Sequence, residues 1–260
     1  IQMLERLGHM DEVAYSMGIL GLIHGFRGDF EKALSLNNKA LDISRRIGNK
    51  TRESVTFTYR TGQAIIQGFW KESIKYGNQA SDISKEIENP VIEGLGIWLT
   101  GYATFHGEDQ QKGIDLLRTG TEKIEATGAS FTLGLGFGWR AEAHALADQE
   151  KEAQLCAKKS LDLAKIGERW GETAAYRALA IIAAKKQPPE WNKVDIHMRE
   201  SLRLAEERGG KPDQAIGCFR YAELLHNKGD MDQAMEYFTQ AKSLFTRMNM
   251  KWWIKQTKNL

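Results

Sequence analysis

Six segments of this sequence recur at a nearly constant interval. They are ALDISRRIG from Ala40, ASDISKEIE from Ala80, GTEKIEATG from Gly120, SLDLAKIGE from Ser160, SLRLAEERG from Ser201 and AKSLFTRMN from Ala241, spaced by 40, 40, 40, 41 and 40 residues. A period of this size marks a repeat protein, in which each unit buries its apolar face only by stacking on its neighbours. Two further series share the period. Ala33, Ser73, Gly113, Ala153, Val194 and Ala234 lie seven residues upstream of the first, and Gly21, Thr61, Gly101, Ala141 and Ala222 lie twelve residues before that. The fifth unit drifts at this last position, with Ala178 and Ala180 nearby.

Residues seven apart stand two turns apart on one face of a helix, and antiparallel helices close to about 8–10 Å only where side chains are small. A break falls between the two sets of small residues in every unit: Gly28-Asp29, Gly68-Phe69, Gly107-Glu108, Asp148-Gln149, Pro189-Glu190 and Gly229-Asp230. Glycine past a helix end supplies a left-handed cap, and an acidic residue after it suits the next helix's N-terminus. Each unit therefore reads as helix A, tight turn, helix B. The expected fold is all-α: a solenoid of antiparallel helix pairs, about twelve long helices coiled as a right-handed superhelix, without strands.

Small residues spaced 12 and then 7 apart around a Gly-Asp turn resemble the tetratricopeptide repeat (TPR). Gly21, Ala33 and Ala40 match its small-residue positions, as do Ala222, Ala234 and Ala241. The usual period is 34; at 40, each unit here is about one and a half turns longer. The longer form is similar to the C-terminal repeats of bacterial multidomain signalling proteins that join a class III nucleotide cyclase or a DNA-binding module to a signal-transduction NTPase. The likeness is greatest in the last third, with its Pro189-Glu190-Trp191 turn and closing Trp252-Trp253 pair. It implies a regulatory repeat region, and no cyclase or NTPase motif lies within these residues.

The expected organisation is one solenoid over residues 1–260. Residues 1–9 are the remnant of a preceding repeat, because IQMLERLG aligns with LDISRRIG, and the chain reads as a fragment of a longer protein. Repeats follow over 10–49, 50–89, 90–129, 130–169, 170–210 and 211–250, with a cap over 251–260.

The chemistry that a chain could carry is thinly represented. A net charge of +2 draws in neither nucleic acid nor an acidic membrane. No apolar run approaches the ~18 residues of a membrane span. Lys158-Lys159, Lys185-Lys186 and Lys251/Lys255/Lys258 have acidic neighbours and read as solvated faces. The six histidines (His9, His24, His106, His144, His197, His226) have no metal-ligand spacing. Gly134 to Gly138, GLGFG, lacks the strand of a dinucleotide fingerprint and reads as a close helix contact. Cys156 and Cys218 sit in amphipathic segments and read as reduced core residues of a cytoplasmic protein. No catalytic residue, metal or cofactor is expected.

A binding site is the remaining possibility. In tetratricopeptide arrays helix A lines the concave surface. Counting from its small residue gives a stripe of Trp98, Tyr102, Phe105 and His106 in unit three, Tyr15, Leu22 and Phe26 in unit one, and Ile65 and Ile66 in unit two. Glu142, Glu223, His226 and Asn227 make the surface more polar farther along. The stripe either faces a ligand or is buried as core where long helices close on one another. The expected function is a protein-interaction or sensory scaffold that binds a peptide or partner domain in this groove. The alternative is a small-ligand sensor like the repeat domains of maltose-type transcription activators.

Overall fold

The computed structural model describes residues 1–258, the side chain of Glu5 excepted; residues 259 and 260 of the expected cap lie outside the described residues. The described residues form fourteen α-helices and no strand. Contacts group the chain into two compact units, Ile1–Ala129 and Ser130–Leu260.

The first unit contains α1 (Gln2–Arg6), α2 (Met10–Arg27), α3 (Phe30–Arg46), α4 (Lys50–Gln67), α5 (Trp70–Glu86), α6 (Pro90–Gly107) and α7 (Gln110–Glu125). The second contains α8 (Leu133–Leu146), α9 (Glu150–Lys165), α10 (Glu172–Ala184), α11 (Trp191–Glu207), α12 (Lys211–Lys228), α13 (Met231–Arg247) and α14 (Lys251–Gln256). Within each unit successive helices pack as A–B pairs: α2 with α3, α4 with α5, α6 with α7, then α8 with α9, α10 with α11, α12 with α13.

The small-residue series explain why the pairs close. Every member of both B-helix series is buried, from Ala33 and Ala40 to Ala234 and Ala241. In α6 and α7 the approach is backbone to backbone. A Cβ on Gly101 would lie 2.5 Å from the Leu117 nitrogen, and one on Gly113 would lie 2.4 Å from that of Phe105. The A helices bury or half-bury most of their circumference, whereas the B helices bury one narrow face and expose the rest.

Turn chemistry follows the sequence at Gly28, Gly68 and Gly229, which adopt φ of 85°, 79° and 87° as C-caps. The third turn differs. Gly107 remains inside α6, where a Cβ would meet that of Trp70 at 2.5 Å; this glycine serves close packing instead of a left-handed cap. Asp148 takes the positive φ of 60° in the fourth turn. Asn49 and Asn89 start their A helices by accepting from the N–H of Arg52 and Ile92, one orphan donor each.

Candidate binding surfaces on the A helices

The aromatic stripe of α6 lies in the packing. Trp98 has no exposed surface, Tyr102 and Phe105 are buried, and His106 is half-buried. Glycine is the cause: a Cβ on Gly120 would sit 2.4 Å from the Trp98 nitrogen, so the α7 backbone covers α6 at that level. The side chains spread toward α5, where His106 stacks on Trp70 at 5.0 Å between centroids. Tyr102 and Phe105 meet His106 edge-on at 4.7 and 5.0 Å. Trp70, which the sequence stripe omits, completes the cluster. Ile65 and Ile66 of α4 are buried as well. Of the two alternatives for the stripe, burial makes Trp98, Tyr102 and Phe105 core side chains.

The equivalent surface of α2 is open. Tyr15 is 46% exposed, and Leu22 and Phe26 are half-buried along the same face. The Arg52 guanidinium of α4 lies over the Tyr15 ring, 4.5 Å from its centroid. Its Nε and Nη2 donate to the two carboxylate oxygens of Asp11 at 2.9 Å each, a bidentate pair that fixes the guanidinium plane. Asn49 Nδ2 donates to the same carboxylate at 2.7 Å. The Arg52 hydrogen bond holds the Asp11 carboxyl below its usual value. Neighbouring Tyr59 is pushed up to about 12, by burial first and by Tyr15 second. Tyrosine and arginine held in place, half-exposed and edged by apolar side chains, are the residue types that dominate binding hot spots.

In the second unit the polar positions have another role. Glu142 of α8 and Arg177 of α10 are both essentially buried, joined by Nε to Oε1 at 2.9 Å and Nη2 to Oε2 at 3.0 Å. Arg177 Nη1 continues to Asp213 of α12 at 3.2 Å, which also accepts from Thr173 at 3.1 Å. Arg220 of α12 stands 3.9 Å from Glu142 and binds Glu223 at 2.8 Å. Glu142 is thus enclosed in an ionic joint across three A helices. Glu223 is partly exposed, and His226 and Asn227 are exposed. Sequence reasoning passed over Arg177, although a lone arginine in ETAAYRALAIIAA is a signal: a charge in an apolar helix requires a partner.

The glycines of GLGFG make close contacts. A Cβ on Gly134 would lie 2.7 Å from the Glu168 carbonyl, and one on Gly138 would lie 2.4 Å from that of Gly171. The Glu168 carboxylate accepts from the Thr132 N–H at 3.0 Å at the start of α8. Burial holds its carboxyl above the usual value, opposed by the N–H groups of Thr132 and Gly134. Cys156 and Cys218 are buried thiols, and burial pushes the Cys218 thiol up to about 11. Among the described residues, no His/Cys/Asp/Glu group is arranged to hold a metal ion and no helix is long and apolar enough to cross a membrane.

Residues 215–245 match the tetratricopeptide repeat family model. The chain contains a TPR-like repeat region. No curated protein sequence matches it. Solved structures do. A Rap protein complexed with Competence and Sporulation Factor superposes with a TM-score of 0.74 at 11% identity, covering 92% of this chain and 65% of that one. Aspartyl phosphate phosphatase F from Bacillus subtilis gives 0.69 at 10%, covering 90% and 60%. The apo form of RapI gives 0.66 at 14%, covering 94% and 85%. The chain spans less than two thirds of the first two. At these identities the likeness is one of fold: a TPR-like array of helix pairs.

Proposed function

We propose that this chain is a protein-interaction scaffold that receives a peptide or partner domain on its A-helix face, without an active site of its own. It serves as the regulatory repeat region of a larger bacterial signalling protein and relays occupancy to an effector. The observation that carries this reading is the α2–α4 surface, where half-exposed Tyr15 lies under an Arg52 oriented by Asp11. Phe26 extends the apolar edge of that surface; in the second unit, taken by itself, Glu223 and His226 on α12 are open to solvent for polar contacts. A solved chain of like fold is complexed with Competence and Sporulation Factor, which supports a binding role here. The clefts support it too: that of about 310 Å³ beside Leu34, Arg60 and Phe69 is open to solvent, which suits an extended segment better than an enclosed small molecule.

The test uses a displayed library of random peptides selected on the immobilised chain. Peptides that enrich should lose about tenfold or more in affinity to Tyr15→Ala and Arg52→Ala, the loss expected of hot-spot truncation. Lys158→Ala, on a solvated face, should leave affinity unchanged. Enriched peptides insensitive to both substitutions would move the site elsewhere, and failure of any peptide to enrich would remove the peptide reading.

A further inference from the structure

One half-buried arginine of the first unit has no acidic partner. Arg60 of α4 donates from Nη2 to the Tyr76 hydroxyl at 2.8 Å, and its guanidinium carbon lies 4.2 Å from the centre of the Tyr76 ring. Its Nε is buried without an acceptor, and among the described residues no carboxylate pairs with it. Arg52, Arg177, Arg208 and Arg220 are likewise half-buried or buried, and they pair with Asp11, Glu142, Glu172 and Glu223. A charge withdrawn from water is ordinarily paired. A tyrosine ring and hydroxyl attract a cation but carry no opposite charge, so the charge of Arg60 is left uncompensated.

Arg60 lines the open cleft of about 310 Å³ bounded by α3, α4 and α5. These three helices lie between α2 and α6 in the chain, so no missing neighbour leaves the cleft open. Leu34 of α3 and Phe69, in the turn before α5, are 44% and 37% exposed and give the cleft an apolar edge. Glu31 and Glu72 line it too, both exposed and neither held in an ion pair. We propose that the cleft binds an extended peptide segment carrying an aspartate or glutamate side chain for Arg60. An apolar residue beside that acid packs on Leu34 and Phe69, and a nearby basic residue meets Glu31 or Glu72. The proposal rests on the peptide-binding reading above and names the sequence that this cleft selects. Arginine suits the role because its planar fork matches a carboxylate. Tyr76 holds that fork before the peptide arrives, so little rotamer freedom is lost on binding. The carboxylates of Glu31 and Glu72 are exposed, where salt screens their repulsion of an incoming acid. Paired with a lysine or arginine of the peptide, they add selectivity more than affinity.

The probe is a positional-scanning library of hexapeptides, N-acetylated and C-amidated so that only side chains carry charge, equilibrated with the immobilised whole chain. Bound peptides should be enriched in Asp or Glu at one position, with an aliphatic or aromatic residue beside it and Lys or Arg close by. Arg60→Gln should abolish the acidic preference and weaken the best peptide by about tenfold or more, the loss of one charge-assisted hydrogen bond. Arg60→Lys, which keeps the charge but not the fork, should retain part of both. Glu31→Gln with Glu72→Gln should remove only the preference for a basic neighbour, and Tyr15→Ala, on α2, should leave the pattern unchanged. Circular dichroism checks that each variant remains helical. Enrichment without an acidic preference, or with one that survives Arg60→Gln, would overturn the proposal and leave the peptide scaffold standing; no enrichment at all would remove both. Enrichment confined to a parallel library with free C-termini would assign Arg60 to a terminal carboxylate and overturn the proposal equally.

Discussion

Helix α6 of the first unit and helices α8, α10 and α12 of the second are held in place by different means. In the first, α6 meets α7 through Gly101, Gly113 and Gly120 and meets α5 through the Trp70–His106 stack, so the joint is backbone contact sealed by aromatic rings. In the second, α8, α10 and α12 are tied by Glu142, Arg177 and Asp213. A close-packed apolar joint depends on shape alone and tolerates neither added nor removed volume. A buried ionic joint depends on its partners: the desolvation of each charge is offset only while the other is present, and the net stabilisation is small. The first joint therefore fixes distance, and the second fixes which residues of successive A helices lie side by side.

The largest expected effect separates these two accounts. Removing either partner of the ionic joint, by Arg177→Ala or Glu142→Ala, should destabilise by about 3–5 kcal/mol, because a buried charge loses its bidentate partner. Trp98→Ala should lose a similar ~3–5 kcal/mol by opening a cavity. The double change Glu142→Leu with Arg177→Met should recover most of the loss in urea melts, as apolar replacements of buried ion pairs do. If the double variant is as unstable as the singles, the charges are required for more than mutual neutralisation, and the contrast between the units fails.

A smaller effect compares joints of one kind. Gly101→Leu drives a side chain into the backbone of Leu117, which has nowhere to move, while Ala234→Leu extends toward the open cleft beside Met231 and Met235. Overpacking of this type costs about 1–3 kcal/mol. Gly101→Leu belongs at the top of that range and Ala234→Leu at the bottom. Equal melting midpoints for the two would mean that the α6–α7 approach is looser than its 2.5 Å spacing implies.

Most of the fold was legible in the sequence because small residues at a fixed period state directly where backbones approach; all twelve B-helix positions proved buried. The site was less legible, for a reason visible at one equivalent position in two helices. Tyr102 and Leu22 occupy the same place in α6 and α2, yet one is buried and the other half-buried. The difference lies in their neighbours: beside α6 the long helix α5 brings Trp70 onto His106 next to Tyr102, whereas only the five-residue α1 precedes α2. Periodicity reports direction around a helix but not how nearly the adjacent helices meet above it. Arg52 was missed because it lies more than two turns before the small-residue landmark Thr61, and its partner Asp11 is 41 residues away, where only the fold brings the two together.

The smallest effect concerns that pair. Asp11 and Arg52 are partly solvent-exposed, 36% and 28% by side chain, so the pair should contribute at most about 1 kcal/mol. The Arg52 hydrogen bond lowers the folded-state value of Asp11 from its ordinary 3.8. A depressed carboxylate contributes stability that is present above the unfolded-state value and lost as pH falls through the folded one. Asp11→Asn should therefore melt slightly lower than wild type at neutral pH. The gap should persist down to about pH 4, since the unfolded chain titrates first, and close only in stronger acid as the folded carboxyl protonates. It should also narrow in high salt, whereas the buried Glu142–Arg177 joint should be far less sensitive because the solvent cannot screen it. A pH-independent gap for Asp11→Asn would mean that the substituted amide disturbs packing, not charge. Equal salt sensitivity at the two sites would remove the distinction between an exposed pair that orients a binding surface and a buried one that fixes the fold.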